Sequence, residues 1–305
     1  MFMIQSPLNY TGGKYKLLPQ ILPLFPNDIE TFVDLFCGGC NVGINVKAQK
    51  HIYNDTNRYL LYLYNTLKNN DKDVTLETIY GIIDKYGLSL ISKYGYDYYD
   101  CDSSSGLGKY NKAKFLKMRE DFNHNTAEDY YYYTLLYVMI VYSFNNQIRY
   151  QSNGEFNLPV GKRDFNKKME SKLTDFIDKI KAQDSHFSCL DFIEFDTSLL
   201  SEKDFVYIDP PYLITCATYN EQDGWNPDKE KELLAFIDQL TEQKIRCALS
   251  NVLRSKGKEN SILIEWLKKN KRKYIVHQLN YSYANSNYHT KDKSDSSQEI
   301  LVTNY

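Results

Sequence analysis

No stretch of this 305-residue chain reaches the ~18–20 consecutive apolar residues that a membrane span requires. The nearest, YYYYTLLYVMIVYSF at 130–144, is short and rich in tyrosine and reads as a buried helix. The N-terminus, MFMIQSPLNY, lacks the basic, apolar and small-residue order of a signal peptide, so a cytoplasmic chain without a membrane partner is expected. Cysteine is scarce and scattered, at 37, 40, 101, 189, 216 and 247. Cys37 and Cys40 form a CxxC, but no second CxxC or histidine pair accompanies it, so no metal or redox centre is expected. The thiols read as small buried groups in a reducing compartment. The full GxGxxG of a dinucleotide fold is missing, with CGGCNVG in its place, which counts against a nicotinamide dehydrogenase, as does the want of a catalytic His or Tyr-Lys set. There is no Pro-Cys nucleophile motif, no internal repeat and no low-complexity linker. Nor is there a global excess of charge: the net value is −2, so charge alone demands no nucleic-acid partner.

What is present is alternation of strand and helix at both ends of the chain. TFVDLFC (31–37) is a short apolar run ending in Gly38-Gly39, expected as a parallel strand entering a tight turn before a helix, and HIYND (51–55) reads as a second strand. From Tyr59 to about Tyr142 the spacing turns helical, broken by the polar CDSSSGLGKYN (101–111). Residues 143–165 alternate and contain Asn153-Gly154, a hairpin signal. Strand-like runs return at 186–192, 204–209, 245–251, 274–283 and 299–305, separated by helical stretches at 229–243 and 261–270. The organisation expected is one α/β domain interrupted by an insertion. Basic residues gather at Lys162, Arg163, Lys167 and Lys168, and again at Lys268, Lys269, Lys271, Arg272 and Lys273; the second group reads as a solvated face.

Two motifs carry chemistry. In an open α/β sheet the turn after the first strand lies at the carboxyl edge, where ligands bind, and the glycines of DLFCGG let backbone approach a ligand there. An acid ending the next strand, Asp55, suits a ribose diol, so the pair favours an adenosine-containing cofactor without separating NAD from S-adenosylmethionine. The second motif is DPPY, 209–212, at the end of the run FVYI. An exocyclic amine of adenine or cytosine is a poor nucleophile, because its lone pair is delocalised into the ring. Asp209 offers it a carboxylate acceptor, the carbonyl of Pro210 a second, and Pro210-Pro211 fix φ near −65° and hold that carbonyl rigidly. Tyr212 offers a face for a flipped base.

On these residues the chain resembles the Dam-type (D12 class, alpha group) DNA adenine-N6 methyltransferases. YTGGKYKLLPQI (10–21) resembles the family's N-terminal cofactor loop, DLFCGG (34–39) its F-x-G motif, YND (53–55) its acidic strand end and DPPY its catalytic tetrapeptide; LSN (249–251) and the terminal EILVTNY resemble its later strands. The resemblance implies a Rossmann-like S-adenosylmethionine-dependent methyltransferase domain with a mostly parallel, seven-stranded sheet over residues 1–58 and 167–305. An inserted, mainly helical target-recognition domain carrying a β-hairpin is implied over 59–166. It implies that Tyr10, Lys14, Asp34, Phe36, Gly38, Asp55, Asp191 and Asp209 bind the cofactor, with Lys14 toward its methionine carboxylate and Asp191 toward its adenine. Asp209, Pro210, Pro211 and Tyr212 are implied as catalytic.

The segment 145–163 resembles the family's DNA-recognition hairpin. A two-stranded ribbon fits the major groove, and Arg149 is the candidate for gripping guanine O6 and N7. Phe144 and Asn145 are placed to wedge into the gap left by a flipped base, Lys162 and Arg163 to hold phosphates, and Asn9, Gln147 and Pro159 complete the expected DNA-facing set. The chain departs from the family pattern at Cys40, where F-x-G-x-G ends in glycine; a cysteine is tolerated there if the backbone does not need φ > 0. Asn9 and Gln147 also differ from relatives that read GATC, so that target is not carried over. The function implied is site-specific methylation of adenine N6 in double-stranded DNA, with a cognate restriction endonuclease as a possible neighbour. Cytosine-N4 methylation and a non-catalytic DNA-binding role on the same scaffold are the alternatives.

Overall fold

A computed structural model describes residues 3–215, 224–280 and 297–305. The end of the strand expected at 274–283 lies outside the described residues. β1 (Thr31–Asp34), β2 (Lys50–Asn54), β3 (Ser185–Ser188), β4 (Phe205–Ile208), β5 (Arg246–Ser255), β6 (Lys258–Glu259), β7 (Ile275–Leu279) and β8 (Gln298–Thr303) form one sheet. Its order is β3-β2-β1-β4-β5-β8-β7, with the two-residue β6 folded back on the end of β5. β3, β2, β1, β4 and β5 run parallel, and β8 lies antiparallel to β5 and β7. Strands covered on both faces read as continuous apolar runs, and FVYI of β4 is buried at all four positions. At the edge, β7 leaves Ile275 and Val276 exposed.

From β1 the chain steps outward through β2 and β3, then returns to place β4 on the other side of β1. Ligands of open α/β sheets bind outside the carboxyl ends of the strands where the order reverses in this way. Asp34, the last residue of β1, stands beside Tyr207, so Asp209 emerges two residues further along the neighbouring strand.

The helices are α1 (Leu18–Ile21), α2 (Arg58–Asn69), α3 (Lys72–Lys85), α4 (Ile91–Tyr94), α5 (Gly108–His124), α6 (Tyr130–Tyr142), α7 (Lys167–Ala182), α8 (Pro227–Glu242) and α9 (Ser261–Lys269). Asp71, Asp129, Asn166, Asn226 and Asn260 cap α3, α6, α7, α8 and α9 through side-chain oxygens that accept first-turn amides. Among the described residues no helix is long and apolar enough to cross a membrane.

Two compact units result. The sheet, α1, α8 and α9 belong to a unit made of the described residues of Lys14–Thr56 and Asp184–Tyr305; residues up to Gly13 and Asn57–Gln183, with α2 to α7, make the other. These bounds depart from the expected 1–58, 59–166 and 167–305 at both ends of the insertion. α7 goes with the helical unit because its apolar stripe packs on α2 and α3: Phe176 meets the Tyr64 ring at 5.5 Å, and Asp178 pairs with Lys72 at 2.7 Å. The first residues go with it as well, Asn9 donating to Asn146 Oδ1 at 2.8 Å. At its centre α6 is buried from Tyr132 to Tyr142, as its all-round apolar sequence requires. In the strand unit the core runs from Val33, Val206 and Ile208 through Leu233, Ile237 and Leu240 of α8 to Leu263 of α9.

Two local expectations change. The turn after β1 leads into a single 3-10 turn, Gly43–Asn45, and no longer helix forms before β2. The hairpin closes through isolated antiparallel bridges, Ser143 with Val160 and Tyr150 with Phe156, in place of continuous strands. At its base the two backbones approach closely: a Cβ on Gly161 would lie 2.3 Å from Ser143 O.

Candidate active site

Three carboxylates gather at the carboxyl edge of the sheet unit. Asp34 is buried, and its Oδ2 accepts the amide of Gly43 at 3.1 Å. Burial is the main cause that pushes its pKa up to about 8; the Gly43 bond opposes this, and the charges of Asp209 and Asp55 add to it. Gly43 is required because a Cβ there would sit 2.5 Å from the Tyr53 ring and 2.9 Å from Asp34 Oδ2. Asp55 follows β2 and accepts the amide of Gly38 at 2.9 Å, which ties the acid to the glycine turn. Gly38 has φ 43°, in the left-handed region that favours glycine.

The same turn corrects the expectation for Cys40. Its φ is 56° and its side chain is fully buried, so a residue with a Cβ occupies a left-handed position where the family pattern has glycine. Burial pushes the neighbouring Cys37 thiol well up, which leaves it a poor nucleophile.

DPPY follows β4 directly. Asp209 Oδ1 accepts from the Lys14 ammonium at 2.9 Å and from the Tyr212 hydroxyl at 3.0 Å. Lys14 is 5% exposed and lies 4.8 Å from the centroid of the Tyr212 ring. Burial raises the Asp209 carboxyl above the ordinary range, and the Lys14 charge opposes that rise. Pro210 is buried and Pro211 and Tyr212 half-buried. The structure thus brings Lys14, Asp209 and Tyr212 into one cluster, with Lys14 engaged by Asp209 itself.

Asp191 is placed differently from Asp34, Asp55 and Asp209. It caps the short turn Phe192–Glu194 in a reciprocal capping box and pairs with Lys229 at 3.4 Å. Phe36 stands against Phe192 and Trp225, with centroids at 5.7 and 5.8 Å.

Asn54, beside Asp55 in YND, was not singled out by its type. Its buried amide donates to Leu35 O and Leu190 O, both at 3.0 Å, and accepts from Ser188 Oγ at 2.8 Å and Leu190 N at 3.1 Å. One side chain therefore staples the exits of β1, β2 and β3 immediately before Asp55. A polar residue at the last position of a buried strand was the available signal.

In the helical unit Phe144 and Asn145 are exposed, and Asn145 and Asn146 both take left-handed backbone, with φ 56° and 53°. Asn146 is buried and is the partner of Asn9, while Gln147 Nε2 donates to Thr11 Oγ1 at 3.4 Å. Arg149 is exposed and held across the hairpin, Nε donating to Asn157 Oδ1 at 2.6 Å. Pro159, Lys162 and Arg163 are exposed at its base. Tyr10 is exposed in this same unit.

A strand-end carboxylate cluster and an Asp-Pro-Pro-Tyr exit thus lie together on a mostly parallel α/β sheet of this order. The chain belongs to the D12 class N6 adenine-specific DNA methyltransferase family, whose profile matches residues 10–283. It is 41% identical over 99% of its length to modification methylase StsI of Streptococcus sanguinis, and equally so to type II methyltransferase M.FokI of Planomicrobium okeanokoites. In each case the alignment covers 43% of the relative, so the chain spans less than half the length of these two proteins. The DNA adenine methylase of Escherichia coli (strain K12) is 26% identical over 80% of this chain and 79% of that protein.

Proposed function

We propose that the chain transfers a methyl group from S-adenosyl-L-methionine to the N6 amine of an adenine flipped out of duplex DNA. The observation that carries this reading is Asp209, held between Lys14 and Tyr212 at the exit of β4. The donor set fits the cofactor: Asp55, tied to the Gly38 amide, suits a ribose diol, and the buried Asp34 carboxyl, raised to about 8 with the charges of Asp209 and Asp55 adding to the effect of burial, would ionise beside a sulfonium cation. When bound, the cofactor would supply an electrophilic methyl whose C–S bond breaks as the C–N bond to N6 forms; it leaves as the neutral thioether S-adenosylhomocysteine while N6 gives up one proton, so no covalent enzyme intermediate is needed.

The protein's own part is alignment and polarisation. Asp209 and the Pro210 carbonyl accept hydrogen bonds from the amine and draw its nitrogen toward tetrahedral geometry. Lys14 and Tyr212 fix the carboxylate on Oδ1 before the base arrives, so the acceptor needs little reorganisation. Tyr212 offers a ring face on which the extruded base stacks. In the helical unit, Arg149 reads base edges, Phe144 and Asn145 fill the vacated stack, and Lys162 and Arg163 position the phosphates. Asn9, Gln147 and Pro159 complete the DNA-facing set, and Tyr10 and Asp191 join the cofactor set. The inserted unit acts as the target-recognition part. The printed name of modification methylase StsI supports a place in a restriction–modification pair, with an endonuclease encoded nearby; a cytoplasmic setting is part of the same reading.

The test is Asp209→Ala. Methyl transfer is expected to fall by roughly 10³-fold or more while duplex DNA affinity stays within about threefold. Unchanged turnover contradicts the role given to Asp209.

A further inference from the structure

Trp225 and Glu230 belong to none of the motifs above. Glu230, in the first turn of α8, is fully buried, and its carboxylate accepts from three neutral donors. Trp225 Nε1 donates to Oε2 at 2.6 Å; the side-chain amides of Asn251 and Asn260 donate to Oε1 at 3.2 and 2.7 Å. A carboxylate buried on uncharged donors costs free energy that a neutral side chain would avoid, so its presence points to the orientation it imposes.

What it orients is the Trp225 indole. The indole meets Phe36 edge-on at 5.8 Å and 79°, and Phe192 at 5.9 Å, while Phe36 and Phe192 lie 5.7 Å apart. Phe192 is buried beneath the other two, and Phe36 and Trp225 each keep part of their surface exposed. Phe36 leads into the turn whose Gly38 amide holds Asp55, and Phe192 follows Asp191 at the exit from β3. Two rings meeting at nearly a right angle over a third, on the same edge as a diol-type acid, make an open aromatic corner for a flat heteroaromatic ring.

We propose that Trp225 contacts the adenine ring of the cofactor, with Glu230 as the positioning residue that sets the indole. This rests on the cofactor reading given above. The chain has two tryptophans, so Trp266→Phe leaves Trp225 as the single indole emitter. In that background S-adenosylhomocysteine is titrated in parallel by calorimetry and by tryptophan emission. The expected result is that both report one dissociation constant. Trp225→Ala should weaken binding ~3–30-fold, whereas Trp225→Phe, which keeps a ring, should stay within about threefold. Glu230→Gln places an amide N–H against one of three donors; it should shift the emission of the unliganded protein and raise KM for S-adenosylmethionine, with kcat at saturation within about twofold. Should Glu230→Gln fail to fold, the Trp225 variants decide alone. Heat of binding with silent emission and an unaffected Trp225→Ala overturns this proposal and leaves the cofactor reading standing. Absence of any binding heat in the parent chain overturns both.

Discussion

At Asp34 burial and the proposed cofactor would act on one side chain in opposite directions. Its carboxyl is raised to about 8, chiefly by burial, so the folded state holds a proton that the unfolded chain has released above about pH 4. The stability this group gives is complete at low pH and is lost as pH rises through about 8. On the proposed reading, a bound sulfonium would favour the ionised form and oppose that preference. Affinity for S-adenosylmethionine is therefore expected to rise between about pH 6 and 8 with release of a proton, and affinity for S-adenosylhomocysteine, whose sulfur is neutral, to rise less. Calorimetry at pH 7 in two buffers of different ionisation enthalpy counts the protons; equal counts for both ligands contradict the assignment. At Cys40 the strain is conformational. The left-handed backbone at φ 56° penalises β-branching, so Cys40→Val should lower stability by about 2 kcal/mol or more, while Cys40→Gly stays within about 1 kcal/mol of the parent in denaturant melts.

The hairpin and the strand ends carry the argument at the level of elements. Gly161 lets the backbone close against Ser143, where a Cβ would stand 2.3 Å from the carbonyl oxygen. Gly161→Ala should displace the ribbon and weaken duplex DNA binding at least ~10-fold, with S-adenosylhomocysteine affinity unchanged in calorimetry. The strands were legible because TFVD, FVYI and RCALSN are apolar runs with chain-local signals, and DPPY was legible because its chemistry lies in four adjacent residues. Harder to read was whatever depends on partners distant in sequence. Asn54 takes its meaning from Leu190, 136 residues away, and Glu230 from Asn260, 30 away. The missing helix after β1 and the left-handed Cys40 were hidden for a different reason. CGGCNVG permits a helix start, whereas Cys40, fully buried, takes φ 56°, which a right-handed helix does not contain. The insertion's bounds moved because α7 buries its stripe on α2 and α3, a tertiary preference that periodicity alone does not contain.

For the chain as a whole, a net charge of −2 means that the proposed affinity for DNA must come from local cations. Lys162 and Arg163 are exposed at the hairpin base, and replacing both with alanine should reduce the slope of log affinity against log salt by roughly 1–2, with similar losses on all duplex sequences. A loss confined to one sequence would assign them to base reading instead. The chain covers 43% of StsI and M.FokI, and the reading proposed here concerns the chemistry that this span carries. The most direct measurement is to incubate the purified chain with duplex DNA of varied sequence and S-adenosylmethionine, digest the DNA to nucleosides and identify modified bases by mass. N6-methyladenine is expected with the parent chain and absent with Asp209→Ala. N4-methylcytosine, or DNA left without any modified base, would contradict the proposal.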